Sequence, residues 1–177
     1  MDISARCFVD RFLLSIFLCC AGGSSFSHAL DVGKSAPALH AKTLENQIFQ
    51  LDQIHGNVVI INFWATWCSP CRQEMPALEA YYQQHKDEGL RILAISMDDP
   101  KDDGNVREVM KEFHFPAAFE RDADYRGYGR IWRMPMTFVI DRQGILRKDG
   151  SVGVPKIDSA LLENLVTPLL KDAQPAP

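Results

Sequence analysis

VVIINFWATWCSPCRQEMP, residues 58–76, runs from an unbroken apolar segment into a cysteine pair and then into a segment with helical spacing. The β-branched and aromatic run Val58–Ala65 has the pattern of a strand covered on both faces rather than one that alternates between core and water. Pro70 suits the first turn of a helix, where a missing N–H costs nothing, so the strand is expected to end near Trp67 and the helix to begin at the cysteines. A second apolar run, LRILAIS (90–96), follows that helix. The order β-α-β implies a parallel pair.

Working outward, GNVREVMKEFHF places Val106, Val109, Met110 and Phe113 at helical spacing. MTFVIDRQGILRKDG reads as two antiparallel strands joined at a turn around Gly144. KIDSALLENLVTPLLK closes the chain as an amphipathic helix, with Leu161, Leu162, Leu165 and Leu169 expected to face inward. Upstream, APALHAKTLENQIFQLDQIHG alternates weakly and is expected to form a short hairpin on one sheet edge. Mixed strands with helices against them define an α/β domain. No repeat, low-complexity tract or linker divides it.

The cysteines sit where their chemistry differs. Cys68, at the helix start, faces unpaired amide groups and the positive end of the helix dipole, which stabilise a thiolate. Such placement can lower a thiol pKa from ~8.5 into the range ~3.5–7.5. Cys68 is therefore the expected nucleophile. Cys71 lies one turn on, within disulfide reach, at the head of an apolar stripe of Met75, Leu78 and Tyr82. It is the expected buried partner that resolves a mixed disulfide.

Other readings fit less well. A structural zinc site needs two more ligands, and His40, His55, His85 and His114 have no ligand-like spacing. A structural disulfide closing so short a loop adds little stability.

The chain has 177 residues and a net charge of −4, with no block rich in lysine or arginine, which argues against a nucleic-acid partner. At the N-terminus Arg6 and Arg11 precede an apolar run from Phe12 to about Ala21. Ser27 and Ala29 then have small-x-small spacing. This is the layout of a signal peptide over residues 1–29, cut after Ala29, leaving 30–177 as one domain. An uncleaved anchor is the alternative, although the run falls short of the ~20 residues a spanning helix needs. A lipoprotein at Cys19 or Cys20 lacks the small preceding residue. Of five cysteines, Cys7, Cys19 and Cys20 leave with the leader, so the mature chain keeps one pair. Export to the periplasm would place that pair where disulfides persist.

NFWATWCSPCRQEMP, ILAISMDD, MPMTFVIDRQG and the final amphipathic helix, in this order, resemble the thioredoxin superfamily. More narrowly they resemble its TlpA/ResA-like extracytoplasmic thiol-disulfide oxidoreductases. The resemblance implies a thioredoxin fold: a central mixed sheet flanked by helices, an N-terminal β-hairpin, and a helix-containing insertion over roughly 98–119. It implies that Pro135 is a cis-proline facing the cysteine pair, with the Met134 backbone free to bind substrate. It matches Glu74 to an acidic residue beside the active site, where a partly desolvated carboxyl could handle a proton; a solvated helix glutamate is the plain alternative. Asn62 stands where cytoplasmic-type thioredoxins carry a buried acid, so that relay is missing here. Trp67 is expected either to cover the rim of the site or simply to pack, and Trp64 to lie in the core. Arg133 and Met136 depart from the pattern of relatives at the docking groove.

The expected activity is reduction of disulfides in exported proteins by a dithiol/disulfide cycle of Cys68 and Cys71. No nucleotide, flavin or metal motif is visible, so electrons are expected from another protein, by resemblance a membrane-embedded disulfide reductase. Cytochrome c biogenesis is one setting that fits; a copper-site assembly factor and a broad set of misoxidised proteins are others. Two competing functions are a Sco-like copper-delivery protein, whose spacing is one residue longer, and a thiol peroxidase of the peroxiredoxin branch, whose Thr-x-x-Cys setting is absent.

Overall fold

The structure is a computed structural model that describes residues 30–153 and 156–172. The expected signal peptide and its cut lie outside the described residues. Seven strands form one sheet: β1 (His40–Thr43), β2 (Ile48–Gln50), β3 (Val58–Trp64), β4 (Leu90–Ser96), β5 (Ala117–Asp124), β6 (Met136–Ile140) and β7 (Leu146–Lys148). Among the described residues three α-helices accompany them: α1 (Ser69–His85), α2 (Asp103–Met110) and α3 (Ser159–Lys171). The spatial order is β2-β1-β5-β4-β3-β6-β7, with β3–β4 and β4–β5 parallel and the remaining pairs antiparallel. This is the mixed α/β sheet expected. Among the described residues no helix is long and apolar enough to cross a membrane.

β3 is buried at every position, as a strand between two covered faces must be. Because successive side chains alternate, Val58, Ile60 and Trp64 join one apolar cluster, while Val59, Ile61 and Phe63 join the other. The first cluster receives the buried residues of all three helices: Met75 and Leu78 of α1, Val106 and Met110 of α2, and Leu162, Val166 and Leu170 of α3. The second is closed by loop residues such as Leu39, Leu51 and Tyr128.

Several expectations need correction. β3 ends at Trp64, three residues before Trp67, because Ala65–Trp67 must turn the chain into α1. On α3 the fully buried stripe is Leu162, Val166 and Leu170, with Leu161, Leu165 and Leu169 half-buried beside it. Both stripes recur every four residues, so spacing alone does not separate them. On α1 the buried tyrosine is Tyr81, whose hydroxyl shares a 2.8 Å hydrogen bond with Thr167 of α3, while Tyr82 is half-buried against the edge of Phe115. β5 was not foreseen: Glu120, Arg121 and Asp122 interrupt its apolar pattern. It inserts between β4 and β1, so the N-terminal hairpin reaches the sheet edge through it. The expected insertion holds α2, entered by a 3-10 turn at Pro100–Asp102, and runs into β5.

One buried cation ties three loops together. Arg142, in the β6–β7 turn, has no carboxylate partner among the described residues; its guanidinium donates to the carbonyls of Glu88 and Leu170, each at 2.7 Å, and to that of Gly56. Leu170 lies in the last turn of α3, where unpaired carbonyls favour a cation. Gly89, at φ 91°, lies so close that a Cβ there would be 2.7 Å from Arg142 Nη1. Lysine, a point charge without the planar fork, does not reproduce donors on two separate nitrogens. Arg142→Met is expected to lower stability by about 2–4 kcal/mol in urea unfolding, and Arg142→Lys to recover less than half of that.

Candidate active site

The turn between β3 and α1 is clamped from the β4 side. Asp98, almost fully buried, accepts from the Thr66 backbone N–H at 3.0 Å, the Thr66 hydroxyl at 2.6 Å and the Ser96 hydroxyl at 2.8 Å. A buried carboxylate is tolerated where several donors satisfy its oxygens. The clamp orients the residues that lead into Cys68.

Cys68 is the N-cap of α1, and its Sγ accepts from the Cys71 backbone N–H at 3.3 Å. The first turn of a 17-residue helix therefore points an amide at this sulfur. Cys68 and Cys71 form a disulfide with Cα atoms 5.3 Å apart. Cys71 is fully buried and Cys68 is 5 % exposed, so only a small area of Cys68 meets solvent. Cys71 continues into Met75 and Leu78, in line with its expected place at the head of the buried stripe.

The Met134–Pro135 peptide is cis. The register Phe63↔Met136 places it at the start of β6, beside the end of β3 and the turn that carries the cysteines. The Met134 side chain packs on the apolar cluster that includes both sulfurs. Trp64 is fully buried, as expected. Trp67 does not pack: it is 67 % exposed and lines a depression of about 340 Å³ with Thr66, Arg72, Asn105, Glu108 and Val109. Trp132, 61 % exposed, stands three residues before the cis-proline, and the Arg133 guanidinium lies 5.0 Å from its ring centre. Arg133 also donates to the carbonyls of Gly150 at 2.8 Å and Gly153 at 3.2 Å.

Glu74 is fully buried, which excludes the solvated reading. One turn after Cys71, its Oε1 accepts from Asn62 Nδ2 at 2.7 Å and its Oε2 from the Ile157 backbone N–H at 2.8 Å. Asn62 Nδ2 also donates to the Thr137 hydroxyl at 2.9 Å, while Asn62 Oδ1 has no partner among the described residues. Burial pushes the Glu74 carboxyl up to about 7; these hydrogen bonds and the charges of Lys148 and Lys156 oppose the shift without cancelling it. Lys148 is itself held below the ordinary lysine range, by burial first and then by Arg133. The site thus joins an amide-capped sulfur, a disulfide partner in the core and a carboxyl that titrates near neutrality.

The structure brings Cys68, Cys71 and Met134 together on one apolar cluster, with Pro135 next in the chain at the start of β6 and Glu74 one turn after Cys71 on α1. Thr137, Ile157 and Asp98 were missed as site residues. Asp98 falls within the ILAISMDD motif, and Thr137 directly follows MPM, so motif position was the available signal for both. Nothing local marks Ile157, which contributes only a backbone N–H. Among the described residues no three His, Cys, Asp or Glu side chains form a group that could hold a metal ion.

Known proteins agree with this geometry. Residues 32–149 match the AhpC/TSA family. A thiol-disulfide oxidoreductase ResA of Geobacillus thermodenitrificans is 36 % identical over 123 residues, covering 68 % of this chain and 69 % of the relative. One from Bacillus thuringiensis subsp. konkukian is 31 % identical over 144 residues, covering 76 % and 82 %. The crystal structure of a thiol:disulfide interchange protein of the thioredoxin family from Chlorobium tepidum superposes with a TM-score of 0.66 at 27 % identity, covering 80 % of this chain and 99 % of that one. With the cysteine pair at the head of α1 in a thioredoxin fold, the chain belongs to the AhpC/TSA family, as a thiol-disulfide oxidoreductase of the ResA type.

Proposed function

We propose that the protein is an exported reductase that works in the periplasm, after removal of residues 1–29, and cycles Cys68 and Cys71 between dithiol and disulfide. Electrons come from a membrane-embedded disulfide reductase, and targets are disulfides of exported proteins, cytochrome c apoprotein among them. The observation that carries this reading is the asymmetry of the sulfurs: Cys68 caps the helix and keeps a solvent-facing edge, while Cys71 is sealed in the core.

In the reductive direction the Cys68 thiolate attacks one sulfur of a target disulfide, forming a mixed disulfide and releasing the other target sulfur as a thiolate. Cys71 gives up its proton and attacks Cys68 Sγ, closing the Cys68–Cys71 bond and freeing the second target thiolate. The donor then returns two electrons to regenerate the dithiol. Glu74 takes the Cys71 proton: a carboxyl poised near 7 is ionised in part at neutral pH and can accept it. The cis peptide before Pro135 leaves the Met134 backbone to pair with the bound target, and exposed Trp67 provides apolar contact at the rim.

In insulin-disulfide reduction with dithiothreitol, Cys68→Ser and Cys71→Ser are expected to fall to the uncatalysed rate, with Cys71→Ser retaining trapped mixed disulfides. Equal rates for all three proteins would reject the cycle. In the reduced protein, iodoacetamide at mildly acidic pH is expected to alkylate Cys68 before Cys71; the reverse order overturns the assignment of roles. Rapid thiol-dependent consumption of peroxide would instead favour the peroxidase branch.

Glu74→Gln is expected to slow resolution of the mixed disulfide and to remove the inflection near pH 7 from its rate profile. A stability signature accompanies it. Because the folded carboxyl titrates above its unfolded value of 4.5, its contribution is fully present below pH 4.5 and is lost as pH rises through about 7. Relative to Glu74→Gln, the oxidised wild type is expected to lose on the order of 3 kcal/mol between pH 4 and pH 8 in denaturant titrations.

A further inference from the structure

Leu30 opens the described chain, and its backbone N–H donates to Asp149 Oδ2 at 2.8 Å across 119 residues of sequence. Asp149 is 2 % exposed, and its Oδ1 accepts from the Ser151 N–H at 2.8 Å. The neighbouring residues are stitched to β7. Gly33 N–H donates to the Leu146 carbonyl and Leu146 N–H to the Lys34 carbonyl, each at 2.8 Å, and Ser35 bridges Ile145. The Leu30 side chain packs half-buried on the second apolar cluster. This atom, held by a buried carboxylate, is the nitrogen on the far side of the Ala29–Leu30 bond.

Hydrolysis of that bond by a leader peptidase consumes one water. The Ala29 carbonyl leaves as a carboxylate on the leader, and the nitrogen stays on Leu30 as an α-ammonium. We propose that cleavage after Ala29 converts the amide held by Asp149 into the mature N-terminus, and that the resulting Leu30–Asp149 ion pair locks the 149–151 segment behind the cis-proline loop. The inference rests on the exported reading proposed above.

The physical gain is in the bond's character. A neutral N–H donating to a carboxylate becomes an ammonium doing so, which adds the attraction of opposite charges to a hydrogen bond that the carboxylate's charge already strengthens. Asp149 has other charges nearby: Lys148 on β7 is close enough to feel it, and Arg133 lies beside Lys148. Asp31, the residue after Leu30, is exposed. Among the described residues the carboxylate has only the backbone amides of Leu30 and Ser151 within hydrogen-bond distance, and the cut adds a cation to those dipoles.

The consequence reaches the active site through Gly150. A Cβ at Gly150 would lie 2.7 Å from the Thr137 nitrogen and 2.8 Å from Met136 Cγ, so this segment is pressed against the start of β6. The Gly150 carbonyl holds Arg133, two residues before Pro135. Asp149 thus anchors the backing of the loop that faces the cysteines.

The full precursor is expressed in a bacterium that exports it, and the protein is purified from the periplasm. Mass spectrometry is expected to find Leu30 as its first residue. An amine-reactive ester at neutral pH then measures acylation of the N-terminal amine, which is that of Leu30 in wild type and in Asp149→Asn, and that of the added residue in a precursor with one valine inserted between Ala29 and Leu30. The insertion keeps the carboxylate and moves the ammonium about 3.8 Å along the chain. The wild-type amine is expected to react about tenfold more slowly than in either variant, the effect of holding its pKa one unit higher. If Asp149→Asn fails to fold, the insertion variant decides alone. A mature N-terminus other than Leu30, or equal acylation rates in wild type and the folded variants, overturns the proposal. Insulin reduction on the same samples separates the two readings: a protected amine on a protein without reductase activity counts against the redox function and leaves the ion pair standing.

Discussion

β3 is covered on both faces along its whole length, and the redox centre takes its position from that constraint. A strand buried on both sides has no freedom of register, because a one-residue slip would move Asn62 out of reach of Glu74 and drive its apolar neighbours onto the wrong faces. Parallel pairing with β4 brings Trp64 opposite Ser96 and sets Asp98 beside the following turn. Antiparallel pairing with β6 brings Asn62 opposite Thr137 and the cis-proline to the strand's end. The cysteines therefore begin α1 at a point located by three strands at once.

Electrostatically the site combines two opposite environments within two helical turns. Cys68 receives an amide from the first turn of α1, which favours its anion. Glu74, a turn beyond Cys71, loses water and gains only two hydrogen bonds, so its anion is disfavoured and its proton is retained up to about 7. One turn from Cys71 the protein thus keeps a carboxyl that is still partly protonated at neutral pH.

Around this centre, backbone carbonyls do much of the work of placing charge. Arg142 binds three carbonyls and Arg133 binds two, neither with a carboxylate bond. The planar guanidinium makes this possible, since its Nη groups reach separate carbonyls, while the Nε of each arginine is buried with no partner among the described residues. Asp141 and Asp149 work in the opposite sense, collecting backbone N–H groups on either side of β7. Segments that lack regular pairing are joined in this way to the cis-proline loop and to the ends of α1 and α3.

The sequence by itself determined the parallel β3-α1-β4 unit, the β6–β7 hairpin, α2, α3 and the place of both cysteines, because each rests on a local pattern: an apolar run, a helical spacing or a proline after a cysteine. The resemblance carried in the same motifs supplied Pro135 and Glu74. Only the tertiary structure decided the rest. β5 is a strand because β4 and β1 lie on either side of it, despite its charged middle. Tyr81 and the Leu162–Val166–Leu170 stripe are the buried ones because α1 and α3 pack on each other, a choice that four-residue spacing leaves open. Glu74 differs from any helix glutamate only because Asn62, Thr137 and the Ile157 amide, 12, 63 and 83 residues away, close over it. Burial is a property of neighbours brought from afar, and a residue's own flanking sequence does not contain them.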